Sequence, residues 1–474
     1  MKKAHLSLSV LLTAGLLFGA CKKELNVFPT TSEADGNLIT NQLTAQQVLN
    51  GVYYRFAGAY ADGTNSYATG YYGVNEEYTS QLSGLITPTY GGSLYSHTYG
   101  PGDYNVAYLW QYYYTLVDAA NGFIANMAPV TSVAAAAKQQ MLAEAAFLRA
   151  YGNSELLLYF GQYDDTSSQY GIILRDKPVS AATINLPRSP VAAAYTSILS
   201  DLDAAIQKLP ALNTAIYYVN ASTAKLLKAR VLMNRGTAGD YAEVISLTND
   251  IITNGPFALE DSLKDIFLTK GFNSKEVMLG VQPYPNESDK FYDYQATGNY
   301  QAAGFLPEIL ADDARNQWVY KAYTSLYDGN YNELTKYYSG DPEHPVQTSL
   351  SAYSYAFRLS EAYLLEAEAI TLSTGDLAAA KTLLTTVMSH AGAGATELAA
   401  VANATTPAVL QLEIVKENLR NFAYENGVDW LALRRLPLSA IQTLNPLIKD
   451  VTKLIFPIPA TELMYNKVIQ NPGY

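Results

Sequence analysis

Two kinds of residue in this 474-residue chain invite a chemical role: acids standing side by side, and tyrosines crowded into a few stretches. Adjacent acids occur at Glu76-Glu77, Asp164-Asp165 and Asp312-Asp313. Cleaving a glycosidic bond takes two carboxyls about 5–10 Å apart across a bound sugar, and adjacency along the chain does not supply that separation. These pairs read as solvated loop acids. The histidines are His5, His97, His344 and His390, none at metal-ligand spacing from another. Neither a Gly-x-Ser-x-Gly elbow nor a Gly-Lys-Ser/Thr phosphate loop is present, so no cofactor, metal or catalytic residue is expected.

Tyrosine is the unusual component, at 39 residues against 14 Phe and 3 Trp. It joins an apolar ring to a polar tip and suits surfaces that are both adhesive and wet. A pyranose presents a face of C–H groups that lies flat on such a ring. Hiding about 40–60 Å² of apolar surface gives on the order of 1–1.5 kcal/mol per ring. The tyrosines gather in two stretches without helical periodicity. One holds Tyr67, Tyr71, Tyr72, Tyr78, Tyr90, Tyr95 and Tyr99; the other holds Tyr284, Tyr292, Tyr294, Tyr300, Trp318, Tyr320, Tyr323 and Tyr327. Trp318, Tyr71, Tyr72, Tyr78, Tyr95, Tyr292, Tyr294 and Tyr320 are the candidate ligand contacts. Tyr108, Trp110, Tyr112 and Tyr113 follow a helical pattern and are assigned, with Trp430, to the core.

Cys21 is the one cysteine. It follows Lys2-Lys3, an apolar run from Leu6 to Phe18, and the small pair Gly19-Ala20. That run is too short for a bilayer span and reads as a signal peptide over 1–20. Cys21 is the expected lipidation site, followed by a polar tether over 21–43. The formal charge of −12, more negative once Lys2 and Lys3 leave with the signal, argues against a nucleic-acid partner.

Helices are what must position the rings. The pattern predicts them at Thr44–Tyr60 with Thr44 as N-cap, Asn105–Met127, Ala134–Phe160, Val191–Leu209, Ser222–Arg235, Tyr241–Thr253, Ser354–Leu372 and Leu377–His390. Gly239-Asp240 and Gly375-Asp376 each open the second member of a helix pair. Between Asp62 and Asp103 the chain reads as loops with short strands. Between Gly255 and Gln347 it reads as a long irregular insert holding a buried strand at Val277–Val281. The expected fold is mainly α, a tetratricopeptide-like array of helix pairs with long loop insertions and few strands.

Several stretches, in order, resemble the SusD/RagB family of outer-membrane nutrient-binding lipoproteins. They are Glu144 to Ala150 with Tyr159-Phe160-Gly161; Pro187-Arg188-Ser189-Pro190 with Tyr195, Asp201 and Leu202; Ala224 to Val231 with Gly239-Asp240-Tyr241; and Arg358 to Ala369. The terminus Phe456-Pro457-Ile458-Pro459 to Gln470-Asn471-Pro472-Gly473-Tyr474 is similar as well. The block from Glu425 to Arg435 departs from the family's pattern at Asn426 and Ala432. The resemblance implies one integrated fold, with an N-terminal half over 44–230 and a C-terminal half over 231–474. It also implies non-catalytic capture of a glycan at the outer membrane, facing outward, and delivery to a SusC-type TonB-dependent transporter. Other ligands and roles stay open: peptide or protein fragments as cargo, a glycosidase, or a protein-interaction scaffold.

Overall fold

The computed structural model describes residues 38–58, 69–295, 299–325 and 329–474. Cys21, the signal, the tether up to residue 37, Tyr67 and Tyr327 lie outside the described residues.

The first helix among the described residues, α1 (Gln42–Phe56), starts earlier than the sequence suggests, because Asn41 and not Thr44 is the N-cap. Thr44 completes a capping box with Asn41, so each satisfies a backbone N–H of the other. A π-helical turn at Gly73–Glu77 then runs directly into α2 (Tyr78–Ser83). This corrects the expectation of loops. Gly and Tyr weaken the helical pattern here, but Val74, Leu82 and the polar residues from Asn75 to Ser83 are buried, except half-buried Tyr78, so tertiary packing decides the conformation.

The long hairpin of α3 (Tyr104–Met127) and α4 (Ala135–Phe160) is the spine. Asp103 caps α3 by accepting from Asn105 N at 2.8 Å. Leu109, Tyr113, Leu116, Ala120 and Phe123 form its buried stripe. The two helices cross closely at Gly152, where a Cβ would stand 2.8 Å from Val117 Cγ2. Further helices stack in sequence: α5 (Val191–Lys208), α6 (Ala221–Arg235) and α7 (Asp240–Asn254), each against its neighbour.

After the insert, α8 (Leu359–Ser373) packs on α7 and on α9 (Leu377–Ala391). Asp376 caps α9, whereas Asp240 lies inside α7 and bonds Arg235 and Thr237. The expected helix from Ser354 is also corrected: Ser354–Arg358 is a buried strand paired antiparallel with Val277–Val281. Alternating small and aromatic residues there meet a strand already buried on both faces, and the helix begins only at Leu359.

The insert holds strands rather than irregular loop alone. Ile86–Pro88, Tyr300–Ala302, Gly329–Leu334 and Tyr320–Ser325 form one antiparallel sheet in that spatial order, with Pro88 opposite Tyr300. This sheet ties the two tyrosine-rich stretches together. No helix among the described residues is long and apolar enough to cross a membrane.

Candidate functional site

The π-helical turn places consecutive acids on different partners. Glu76 is fully buried and lies 2.9 Å from Lys290 Nζ, with neither side chain exposed. Lys290 also donates to the Tyr353 carbonyl at 2.6 Å, and Ser354 Oγ donates to Glu76. Lys290 belongs to a short helix, Asp289–Tyr294, so this cluster fixes that helix against the turn. A buried pair of this kind is justified mainly by what it positions, since desolvation offsets much of its attraction.

What it positions is a second group of acids around Tyr72. The Tyr72 hydroxyl donates to Asp293 at 2.6 Å, and Asn299 Nδ2 bonds the other oxygen of Asp293. Glu77 and Glu287 also act electrostatically on Tyr72. Burial, then the nearby Asp293 charge, raises the Glu77 carboxyl well above its usual range. Burial raises Asp293, and pushes Glu287 up to about 7. Tyr300 bonds Glu77, yet Glu77 Oε1 has no hydrogen-bond partner, and neither does Glu287 Oε1.

Beside the acids runs a row of rings. Tyr104, 73% exposed, stacks on half-buried Tyr108 with centroids 5.8 Å apart and planes 22° from parallel. Tyr108 meets the edge of Tyr78 at 6.3 Å, and Tyr78 adjoins Tyr300. Tyr90, 91% exposed, sits at the turn whose Thr89 N–H bonds the Asn299 carbonyl. Wet rings, a reachable carboxylate in Asp293 and the amide of Asn299 therefore share one region.

The sequence candidates divide sharply. Tyr78 joins the row; Tyr72 is corrected to a buried ring whose hydroxyl donates to Asp293. Tyr292 is half exposed on the neighbouring short helix, while Tyr95 and Tyr320 are half-buried elsewhere in the tyrosine-rich stretches. Tyr71 and Tyr294 are corrected to core residues: Tyr71 packs on Phe56, and Tyr294 packs on Tyr337 and Tyr424. Trp318 is likewise buried, 6.0 Å from Phe267, because Arg315 three residues earlier is locked inward by Asp313 and Glu417. Glu76, Glu77 and Asp313 are buried and not solvated loop acids, a further correction; Asp165 is exposed and bonds Ser167. Trp110, Tyr112, Tyr113 and Trp430 are core as expected, but Tyr108 is shared with the surface row.

Tyr104 escaped the sequence reading. Its signal is the spacing to Tyr108 immediately after the Asp103 cap, which puts two rings on one side of a helix's first turns. The buried histidine His97 bonds the Leu82 carbonyl, and His390 bonds the Glu260 carbonyl. Among the described residues no group of His, Cys, Asp or Glu is arranged to hold a metal ion.

A helical scaffold presenting such a surface defines a class of proteins, and comparison identifies it. A family model described as "Starch-binding associating with outer membrane" matches residues 31–232, and the SusD family model matches residues 291–444. The chain belongs to the SusD/RagB family. A SusD superfamily protein from Bacteroides thetaiotaomicron shares its fold with TM-score 0.72 at 20% identity, covering 91% of this chain and 100% of that one. NanU from B. fragilis gives TM-score 0.72 at 18% identity, covering 94% and 100%. A laminarin-binding SusD-like protein gives 0.68 at 18% identity, covering 92% and 100%. Sequence comparison with curated proteins returns no match.

Proposed function

We propose that this protein captures a glycan without cleaving it and hands it to a SusC-type TonB-dependent transporter in the outer membrane. The observation that carries the reading is the row of exposed Tyr104 and half-buried Tyr108, Tyr78 and Tyr300 beside Asp293 and Asn299. Ring faces accept the apolar side of a sugar, and the acid and amide accept and donate to its hydroxyls. Family membership supports the same reading, and one solved relative is named for binding laminarin. Cys21, acylated, holds the protein to the membrane, with the ring row facing outward.

Two or three rings contribute only a few kcal/mol before association costs, so affinity lies in the micromolar to millimolar range as an order of magnitude. Weak capture suits cargo that is passed on. The test is electrophoresis of the full chain through gels containing neutral polysaccharides. Retardation by at least one, with no product after prolonged incubation, is expected. Retardation by none, or turnover abolished by one carboxylate substitution, overturns the proposal.

A further inference from the structure

We infer that the face built by Ile184, Met464, Tyr465, Lys467 and Ile469 rests on an anionic lipid surface and turns the ring row away from it. The inference goes beyond glycan capture and rests on the reading of Cys21 as the lipid anchor, which brings a bilayer within reach.

The first observation is an exposed apolar patch made by two segments distant in sequence. Ile184, Met464, Tyr465 and Ile469 are each more than half exposed. Asn466 Nδ2 donates to the Leu186 carbonyl at 2.8 Å, and Arg188 Nη1 donates to the Ile469 carbonyl at 3.0 Å. The end of the loop over 175–188 therefore lies against the chain over 464–469. Large apolar side chains gathered at a surface mark a place that something covers.

The second observation concerns what covers it. Arg175, Lys177, Arg188 and Lys467 stand in the same two segments, and none forms a salt bridge among the described residues of this acidic chain. Arg175 and Arg188 donate to backbone carbonyls, and Lys177 and Lys467 are exposed. The acids beside them are engaged within the protein. Glu462 accepts from Trp110 and Asn466, Asp118 accepts from Val179 N, and Asp176 acts on Arg149. Apolar side chains with an unneutralised cationic rim complement the acyl interior and the phosphates of a bilayer, and Tyr465 suits the level between them.

Acylation alone does not choose a face. Extended, the chain from Cys21 to Leu38 reaches roughly 55–60 Å, beyond the length of about 36 Å for α3. The patch makes the choice. Trp110, bonded to Glu462 of the short helix Ala460–Tyr465, lies roughly 120–160° around α3 from Tyr104 and Tyr108. A bilayer under the patch leaves the ring row on the far side. Four side chains hold a bilayer only weakly, so the contact orients the protein while Cys21 retains it.

The test uses the acylated protein reconstituted in vesicles of phosphatidylethanolamine and phosphatidylglycerol. Cys21 is the one native cysteine, so once it is acylated Met464→Cys and, on the ring-row side, Tyr90→Cys each offer a single thiol for a fluorescent label. Lipids bearing a nitroxide should quench the label at 464 at least about fivefold more than the label at 90. Lys177→Glu with Lys467→Glu, at an unchanged melting temperature, should bring the two within about twofold. Equal quenching in protein that floats with the vesicles, the result if a protein partner covers the patch instead, overturns this face and leaves the anchoring intact. Protein that does not float with the vesicles overturns both. Quenching at 464 that survives the double charge reversal overturns the anionic character assigned to the surface.

Discussion

Lys290 and Glu76 meet at 2.9 Å with no exposed surface on either side chain, and through them the insert grips the helical body. The contact spans 214 residues of sequence. It sets the short Asp289–Tyr294 helix against the π-helical turn, which brings Asp293 to Tyr72. A parallel network, Arg358 with Glu276 and Glu425, and Glu425 with Lys336, secures the same insert from beneath.

Removing one member of the anchor leaves the other as a buried uncompensated charge. Lys290→Met should therefore cost about 3–5 kcal/mol of stability. The double variant Glu76→Leu with Lys290→Met should recover most of that loss. Urea denaturation measures both, and a single variant as stable as the parent would show that the pair does not hold the insert.

Trp318 and Tyr294 act through packing. Trp318→Leu and Tyr294→Leu should lower the melting temperature, with a cost of about 1–4 kcal/mol, and leave glycan affinity of the folded fraction unchanged. An affinity loss at constant melting temperature would return either ring to the ligand surface.

Helix stacking was legible because its signal is periodic and local. The stripe in α3 and the small residues of α4 can be read directly, and the bounds of these two helices agree within a residue. Where the sequence misled, distant contacts overrode local pattern. Glu76-Glu77 look solvated until Lys290 and Tyr300 are brought to them from more than two hundred residues away. Trp318 looks like a loop ring until Arg315 is seen buried between Asp313 and Glu417. A tyrosine-rich stretch announces that rings matter but does not say which way each one points. Tyr71 and Tyr72 are neighbours and both are buried, yet only Tyr72 bonds Asp293.

Stability should fall as pH rises toward neutrality. Burial pushes Glu155 and Glu287 up to about 7, and Asp429 up to about 6. Ordinary Asp and Glu side chains titrate near about 4. Between those values the folded chain keeps protons that the unfolded chain has released, so this contribution is full below pH ~4 and is lost as pH rises through ~7. Lys336, lowered by burial to about 8, works in a higher window: its contribution is present above its ordinary value and is lost as pH falls through 8. Thermal melts should give a higher midpoint at pH 5.5 than at pH 7.5, about two units apart, and Glu287→Gln should flatten that slope. A midpoint that rises over this interval would refute the assignment.

The proposed anchoring rests on Cys21. Cys21→Ala should move the protein from the membrane fraction to the soluble one, since stable attachment takes more than one acyl chain and none can be added without the thiol. Unchanged partitioning on cell fractionation would contradict lipid attachment.

The most direct measurement is titration of one retained polysaccharide against the parent protein and the Tyr104→Ala, Tyr108→Ala and double variants. With about 1–1.5 kcal/mol per ring, each single change should weaken binding about five- to thirteenfold, and the double change more, at unaltered melting temperature for Tyr104→Ala. Parent-like affinity in the double variant would mean that cargo is held elsewhere and that this row of rings is not the gripping surface.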